Sequence, residues 1–178
     1  MDFIALDFET ANYERTSACS IGLAIVEDNK VISTLHRLIR PQPNYYIHAF
    51  TDIHGLSAEM TDDQPTFDKV WQEIGPLLDG KLLVAHNVGF DLGVLRATLA
   101  HYDLPVPNFE YLCSLVVSRK YFPTLVNHKL NTVAKHLGVK LNHHHAESDA
   151  IAAAEIIIRS NYKKPVKKKV SKEKNIKG

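Results

Sequence analysis

Phe3-Ile4-Ala5-Leu6-Asp7-Phe8-Glu9 carries the chain from an apolar run onto two acids spaced one residue apart. The run is short and wholly apolar, so it reads as a buried strand with Asp7 and Glu9 at its end. In a strand, residues two apart share a face, which sets these carboxylates side by side. Such a pair repels, and neither member ionises cheaply without a cation between them. On this pair alone a solvated strand end is the better reading, so its meaning depends on what else the chain brings to it.

Ser20 to Val26 and Val31 to Ile39 are apolar and β-branched, separated by the turn Glu27-Asp28-Asn29-Lys30. The first three strands are therefore expected to form an antiparallel meander. Residues 41–65 read as irregular, with Pro41, Pro43 and Pro65. Pro65-Thr66 then opens a helix with Phe67, Val70, Trp71, Ile74 and Leu78 at helical spacing. Leu82-Leu83-Val84-Ala85 is a buried strand, followed by a helix with Leu92, Leu95, Leu99 and Tyr102 on one face. Leu112 to Val117 fits strand or helix, while Leu130 to Leu137 and Ala146 to Ile158 read as helices. A meander followed by alternating strands and helices implies an α/β fold with a mixed sheet flanked by helices.

The apolar fraction of 45% and charged fraction of 23% are those of a soluble globular protein. No stretch is long and apolar enough for a membrane span. The N-terminal residues lack the basic flank of a signal peptide, and Cys19 and Cys113 stand alone, without a C-x-x-C. The expectation is a cytoplasmic protein with free thiols. Charge is segregated along the chain. Lys163 to Gly178 holds eight lysines and one acid, whereas residues 1–162 carry a net charge of −6. A body of that sign holds nucleic acid only through metal ions, local basic spots or the tail. Residues 1–162 are expected to form one domain, with 163–178 a disordered tail that is either solvated or a tether to phosphates.

Two further segments bear on the acids. Ala85-His86-Asn87-Val88-Gly89-Phe90-Asp91 places a polar turn after a buried strand, with Asp91 in the first turn of a helix. Sites on α/β sheets form at such strand ends, although Asp91 also complements the helix dipole without any further role. Asn142-His143-His144-His145-Ala146-Glu147-Ser148-Asp149 puts a histidine five residues before an aspartate at the mouth of an alanine-rich helix. Ala150, Ala152, Ala153 and Ala154 would let that helix approach the sheet and draw Asp149 towards Asp7 and Glu9. The histidine run also fits an adventitious transition-metal site or a solvated loop.

Taken in order, these segments resemble the DEDDh 3′→5′ exonucleases, and among them the branch like the proofreading epsilon subunit of DNA polymerase III. Asp7-Phe8-Glu9-Thr10 matches the first motif, His86-Asn87 with Phe90-Asp91 the second, and His144 with Asp149 the third. Arg15, Ser17 to Gly22, Ile53-His54-Gly55-Leu56 and Pro65-Thr66-Phe67 match intermediate landmarks. The resemblance covers about residues 2–160, and Val88, Cys113-Ser114 and Glu147 depart from its pattern.

The resemblance implies an RNase H-like fold and hydrolysis that releases nucleoside 5′-monophosphates from the 3′ end of DNA, in proofreading or repair. It implies two Mg²⁺ or Mn²⁺ ions, suited to hard carboxylate oxygens, on Asp7, Glu9, Asp91 and Asp149. His144 is implied as the general base, and Thr10, His86, Asn87, Phe8, Leu56 and Phe90 as contacts to the terminal nucleotides. Phe8 alternates with the acids, so it and Phe90 fit plain core positions as well. Single-stranded 3′ ends and a DNA polymerase subunit are the implied partners. An exoribonuclease is the rival within the enzyme class, and a non-catalytic module binding nucleic acid or polymerase the rival outside it.

Overall fold

In the computed structural model, residues 1–163 are described; most of the lysine-rich tail lies outside them. Three antiparallel strands come first, β1 (Phe3–Thr10), β2 (Ala18–Glu27) and β3 (Lys30–Leu38). The β2–β3 turn needs positive φ at both central residues, and Asp28 (47°) and Asn29 (58°) supply it. These are residue types that tolerate the left-handed region.

The sheet runs β3-β2-β1-β4-β5, with β1 antiparallel to β2 and parallel to β4 (Leu82–Ala85), and β4 parallel to β5 (Glu110–Cys113). The expected mixed sheet is the observed one. Strand β1 runs on through both acids to Thr10, because β2 pairs with it as far as Ala18, past an irregularity between Glu9 and Thr10.

The pleat divides β1 between two cores. Leu6 and Phe8 join Ile21 and Leu23 under helices α3 (Phe67–Leu78) and α4 (Gly89–His101). Phe3 and Ala5 join Ala24 and Val26 under α5 (Ser114–Tyr121) and α7 (Ala146–Arg159). Asp7 and Glu9 follow Phe3 and Ala5 in the alternation and so share the α7 face. Helix α6 (Leu130–Leu137) backs onto α7 through Val133, Ala152 and Ile156. Each large aliphatic or aromatic side chain buried here contributes about 1.5–3 kcal/mol relative to exposure.

Two segments read differently from the sequence. Residues 41–65 hold two short helices, α1 (His48–His54) and α2 (Ala58–Thr61). Helix α1 buries none of its residues, so it leaves no apolar periodicity to read. Leu112 to Val117 is ambiguous because it is both elements, the end of β5 and, from Ser114, the start of α5.

Gly22 pairs with Asp7 across the β1–β2 ladder. A Cβ on Gly22 would lie 2.2 Å from the Ala146 carbonyl carbon and 2.2 Å from the Glu147 nitrogen. The first turn of α7 therefore rests on bare backbone beside Asp7, a contact that no other residue allows. The obstacle is backbone, which cannot rotate away as a side chain would. Gly22→Ala is expected to cost about 1–3 kcal/mol by overpacking, read as a lower midpoint in thermal unfolding. An unchanged midpoint would show that α7 moves off the sheet without penalty.

Candidate active site

Strand β4 pairs with β1 only at Ile4↔Leu83 and Ala5↔Val84. The Phe8 amide lies beyond that pairing, and the Asp91 carboxylate accepts its hydrogen at 3.1 Å through Oδ1. Asp91, in the first turn of α4 and only 1% exposed, thus ties the helix to the strand between the two acids. Asp149 arrives from the first turn of α7, over Gly22, and is 3% exposed. One carboxylate oxygen of each of Asp7, Glu9 and Asp149 falls within 4.8 Å of the others. Four acids from β1, α4 and α7 are thereby gathered at one end of the sheet.

Asp149 is held by the loop before α7. Its Oδ2 accepts the His144 amide at 3.0 Å and lies 3.1 Å from Nδ1 of His143. His144 takes a left-handed conformation, φ 67°, unusual for a histidine. The His143 and His144 rings stack with centroids 3.8 Å apart.

The electrostatics follow from this crowding. Burial, and then the charges of Asp91, Glu9 and Asp149, raise the Asp7 pKa well above the usual carboxylate range. Burial, with Asp149 and Asp91 behind it, pushes Glu9 up to about 8. Burial also pushes Asp91 up to about 8, although the Phe8 amide opposes the shift. Burial raises Asp149, against the His144 amide and the adjoining histidines. Glu9 and Asp91 in this state keep protons at neutral pH unless cations replace them. The donor set of hard oxygens suits a divalent ion such as Mg²⁺ or Mn²⁺.

The acids form one side of a cleft of about 570 Å³. Across from β1, residues of α5 and of the 122–129 segment complete its lining, among them Leu115, Arg119, Asn127, His128 and Lys129. His86 fastens that segment. Its Nε2 lies 2.9 Å from the His128 carbonyl and its Nδ1 2.9 Å from the Ser114 hydroxyl. A carbonyl only accepts, so Nε2 carries the hydrogen and, in the neutral ring, Nδ1 accepts from Ser114. Burial holds the His86 pKa down to about 4, so the ring is neutral.

Of the residues singled out in the sequence, Asp7, Glu9, His86, Asn87, Phe90, Asp91, His144 and Asp149 all line this cleft. Phe8 offers it backbone, since the side chain is 2% exposed and packs on Phe67. Thr10 and Leu56 lie outside the lining. The Thr10 side chain is buried and its carbonyl meets Nε2 of His54 at 3.1 Å, while Nδ1 of His54 accepts the Leu56 amide. Sequence reasoning did not single out Arg119, Asn127, His128 or Lys129, which reach the cleft from a segment with no motif of its own. His143 stood in the histidine run, but only the stacking and the contact to Asp149 distinguish it.

The family model described as exonuclease matches residues 4–157. The chain belongs to this exonuclease family. It is 30% identical over 159 residues to a DNA polymerase III PolC-type of Clostridium perfringens, covering 88% of this chain and 11% of that protein. It is also 30% identical over 153 residues to the 3′-5′ exonuclease DinG of Bacillus subtilis, covering 83% of this chain and 16% of the relative. The chain thus spans only about a tenth to a sixth of the length of these relatives. The fold is shared with the nuclease domain of 3′hExo, a DEDDh family member solved with rAMP, at a TM-score of 0.76 and 14% identity, covering 89% of this chain and 90% of that one. It is shared too with exonuclease X solved with 5′-overhanging duplex DNA, at a TM-score of 0.68 and 23% identity, covering 89% and 91%.

The raised acids set a pH dependence of stability. A carboxyl whose folded pKa lies above its unfolded value loses stabilisation as pH rises through the folded pKa. Glu9 and Asp91, both about 8 in the fold, therefore favour the folded state more at pH 6.5 than above 8. Below about 6.5 the limb levels off, because the unfolded chain then binds protons at His36, His54, His86 and His144, whose pKa values the fold lowers, and these offset the carboxyls. Metal-free protein is expected to melt several degrees higher near pH 6.5 than at 8.5. Asp91→Asn should flatten that limb, and Mn²⁺ at pH 8.5 should raise the midpoint. A melting curve independent of pH from 6.5 to 8.5 would contradict the raised carboxyls.

Proposed function

We propose that this protein hydrolyses DNA from the 3′ end in the presence of divalent cations, releasing nucleoside 5′-monophosphates. The observation that carries the reading is the convergence of Asp7, Glu9, Asp91 and Asp149, with His144 beside them on the same cleft. Asp7, Glu9, Asp91 and Asp149 would hold two Mg²⁺ or Mn²⁺ ions. Bound there, the cations offset the carboxylate charge and stabilise the negative charge that builds on the phosphate during in-line displacement.

The chain's own groups supply the rest. Burial and the neighbouring His143 lower the His144 pKa, against the pull of Asp149, so the imidazole is neutral at physiological pH. A neutral imidazole is fit to take a proton from the attacking water. The water oxygen bonds to phosphorus, the bond from phosphorus to the 3′ oxygen breaks, and that oxygen leaves with a proton as the 3′-hydroxyl. Phe90, 39% exposed at the start of α4, offers a face on which a terminal base stacks without selection among bases. Asn87, in a left-handed turn with φ 70°, presents an amide next to it.

The relatives named as DNA polymerase III PolC-type favour DNA as substrate and work beside a DNA polymerase. The 3′hExo structure was solved with rAMP, which keeps an exoribonuclease as the second reading. A 2′-hydroxyl contact would decide between them.

One assay tests all of this. Single-stranded DNA, recessed-end DNA and single-stranded RNA carrying 5′ labels are incubated with Mg²⁺ or Mn²⁺. A descending ladder, fastest on DNA, is expected, and Asp7→Ala or Asp149→Ala should abolish it. His144→Ala is expected to slow it roughly 10²–10⁴-fold, the usual weight of a general base. No ladder from folded protein with either cation would refute the reading, as would a mutant ladder above a tenth of the wild-type rate at Asp7 or Asp149.

A further inference from the structure

A body with a net charge of −6 must grip a polyanion somewhere other than at its acids. We propose that Arg119 and Lys129 form a phosphate-binding wall that takes the backbone of the strand just upstream of its 3′ end. This rests on the exonuclease reading and assigns the path by which the strand leaves the site.

Arg119 comes from α5 and Lys129 from the residue preceding α6, yet both line the cleft that holds Asp7, Glu9, Asp91 and Asp149. Both are exposed, and among the described residues neither is paired with a carboxylate. Arg37 and Arg159 differ in this respect, since Glu73 and Glu155 engage them. Two cations left unpaired on the wall of an acidic cleft are placed to meet anions that the acids repel. A bound strand presents such anions at each phosphate beyond the reacting one.

The wall is also fixed in place. His86 joins the Ser114 hydroxyl at the base of α5 to the His128 carbonyl next to Lys129. Nε2 of His128 in turn reaches the Phe122 carbonyl at 3.1 Å, closing the 122–129 segment on itself. Asn127 Oδ1 accepts the Lys129 amide at 3.0 Å, which pins the backbone where the lysine projects. Hydrogen bonds thus tie the strand end carrying His86 to the start of α5, the helix that carries Arg119, and to the segment that ends at Lys129. His86 acts here as a positioning residue, with both ring nitrogens already committed to the protein. Asn127 and Asn87 add neutral amide groups along the same lining, suited to phosphate or sugar oxygens.

The test compares two substrates in Mn²⁺: a single-stranded oligonucleotide and the p-nitrophenyl ester of thymidine 5′-monophosphate. The ester has one phosphodiester and nothing upstream. For the oligonucleotide, kcat/KM is followed against salt from about 50 to 200 mM, where each phosphate contact to a single strand contributes roughly 0.7 to the log–log slope. Arg119→Ala and Lys129→Ala should each flatten the slope by about that amount, and the double variant by about twice it. Arg119→Lys should retain the wild-type slope, and kcat/KM for the ester should stay within about twofold throughout. An unchanged slope in the double variant, with wild-type protein turning over both substrates, would overturn the wall alone. An equal loss on both substrates would also overturn it, placing the two residues in support of the reacting centre. Wild-type protein that cleaves neither substrate would overturn the exonuclease reading itself.

Discussion

Four carboxylates share one end of the sheet, and two of them are almost wholly buried. Coulomb repulsion at this spacing, in surroundings that hydrate charge poorly, forbids all four from ionising together without compensation. The fold answers only part of the demand. The Phe8 amide serves Asp91, and the His144 amide serves Asp149. Asp7 and Glu9 open onto the cleft with no comparable donor among the described residues, and Glu9 keeps its proton up to about 8. Cations complete the balance, and the same cations supply the means of stabilising a phosphate. Binding of metal and catalysis are in this sense consequences of one electrostatic constraint.

The scaffold is arranged to maintain that constraint. Alternation along β1 sends Leu6 and Phe8 into the α3–α4 core while Asp7 and Glu9 face α7. Burial on the first face anchors the strand, so the acids cannot drift apart. Gly22 presents no side chain to keep α7 off the sheet, and the alanines of α7 continue the close approach. The short reach of β4 leaves the Phe8 amide for Asp91. The four acids are therefore delivered by three elements, β1, α4 and α7, each seated by apolar packing against the sheet.

Much of this is legible in the residues. The positive-φ turn at Asp28-Asn29, the full length of α6 and the order of strands and helices follow from periodicity and turn chemistry. Asp91 and Asp149 stand in first helical turns, where acids are common for electrostatic reasons alone, so only their ordered recurrence with Asp7 and Glu9 gave them weight. What stayed hidden has physical causes. Helix α1 buries nothing and has no apolar period. Arg119 and Lys129 stand on either side of the irregular 122–128 segment, whose path cannot be read from periodicity, and nothing local marks two exposed cations as neighbours on one wall. His86 reads as a candidate nucleotide contact because its motif places it at a strand end. Its two bonds to Ser114 and His128 depend on tertiary approach over 28 and 42 residues.

The most direct test of the constraint counts protons. Mn²⁺ is titrated calorimetrically into metal-free protein at pH 7.5 in two buffers of different ionisation enthalpy, which yields the protons released on binding. If Glu9 and Asp91 hold protons up to about 8 in the absence of metal, binding must displace them. The account predicts release of about one proton or more per chain, reduced in Asp91→Asn. Binding with no proton release, or no binding at all, would show that the four carboxylates coexist by some means other than a shared proton or cation, and the account would fail at its foundation.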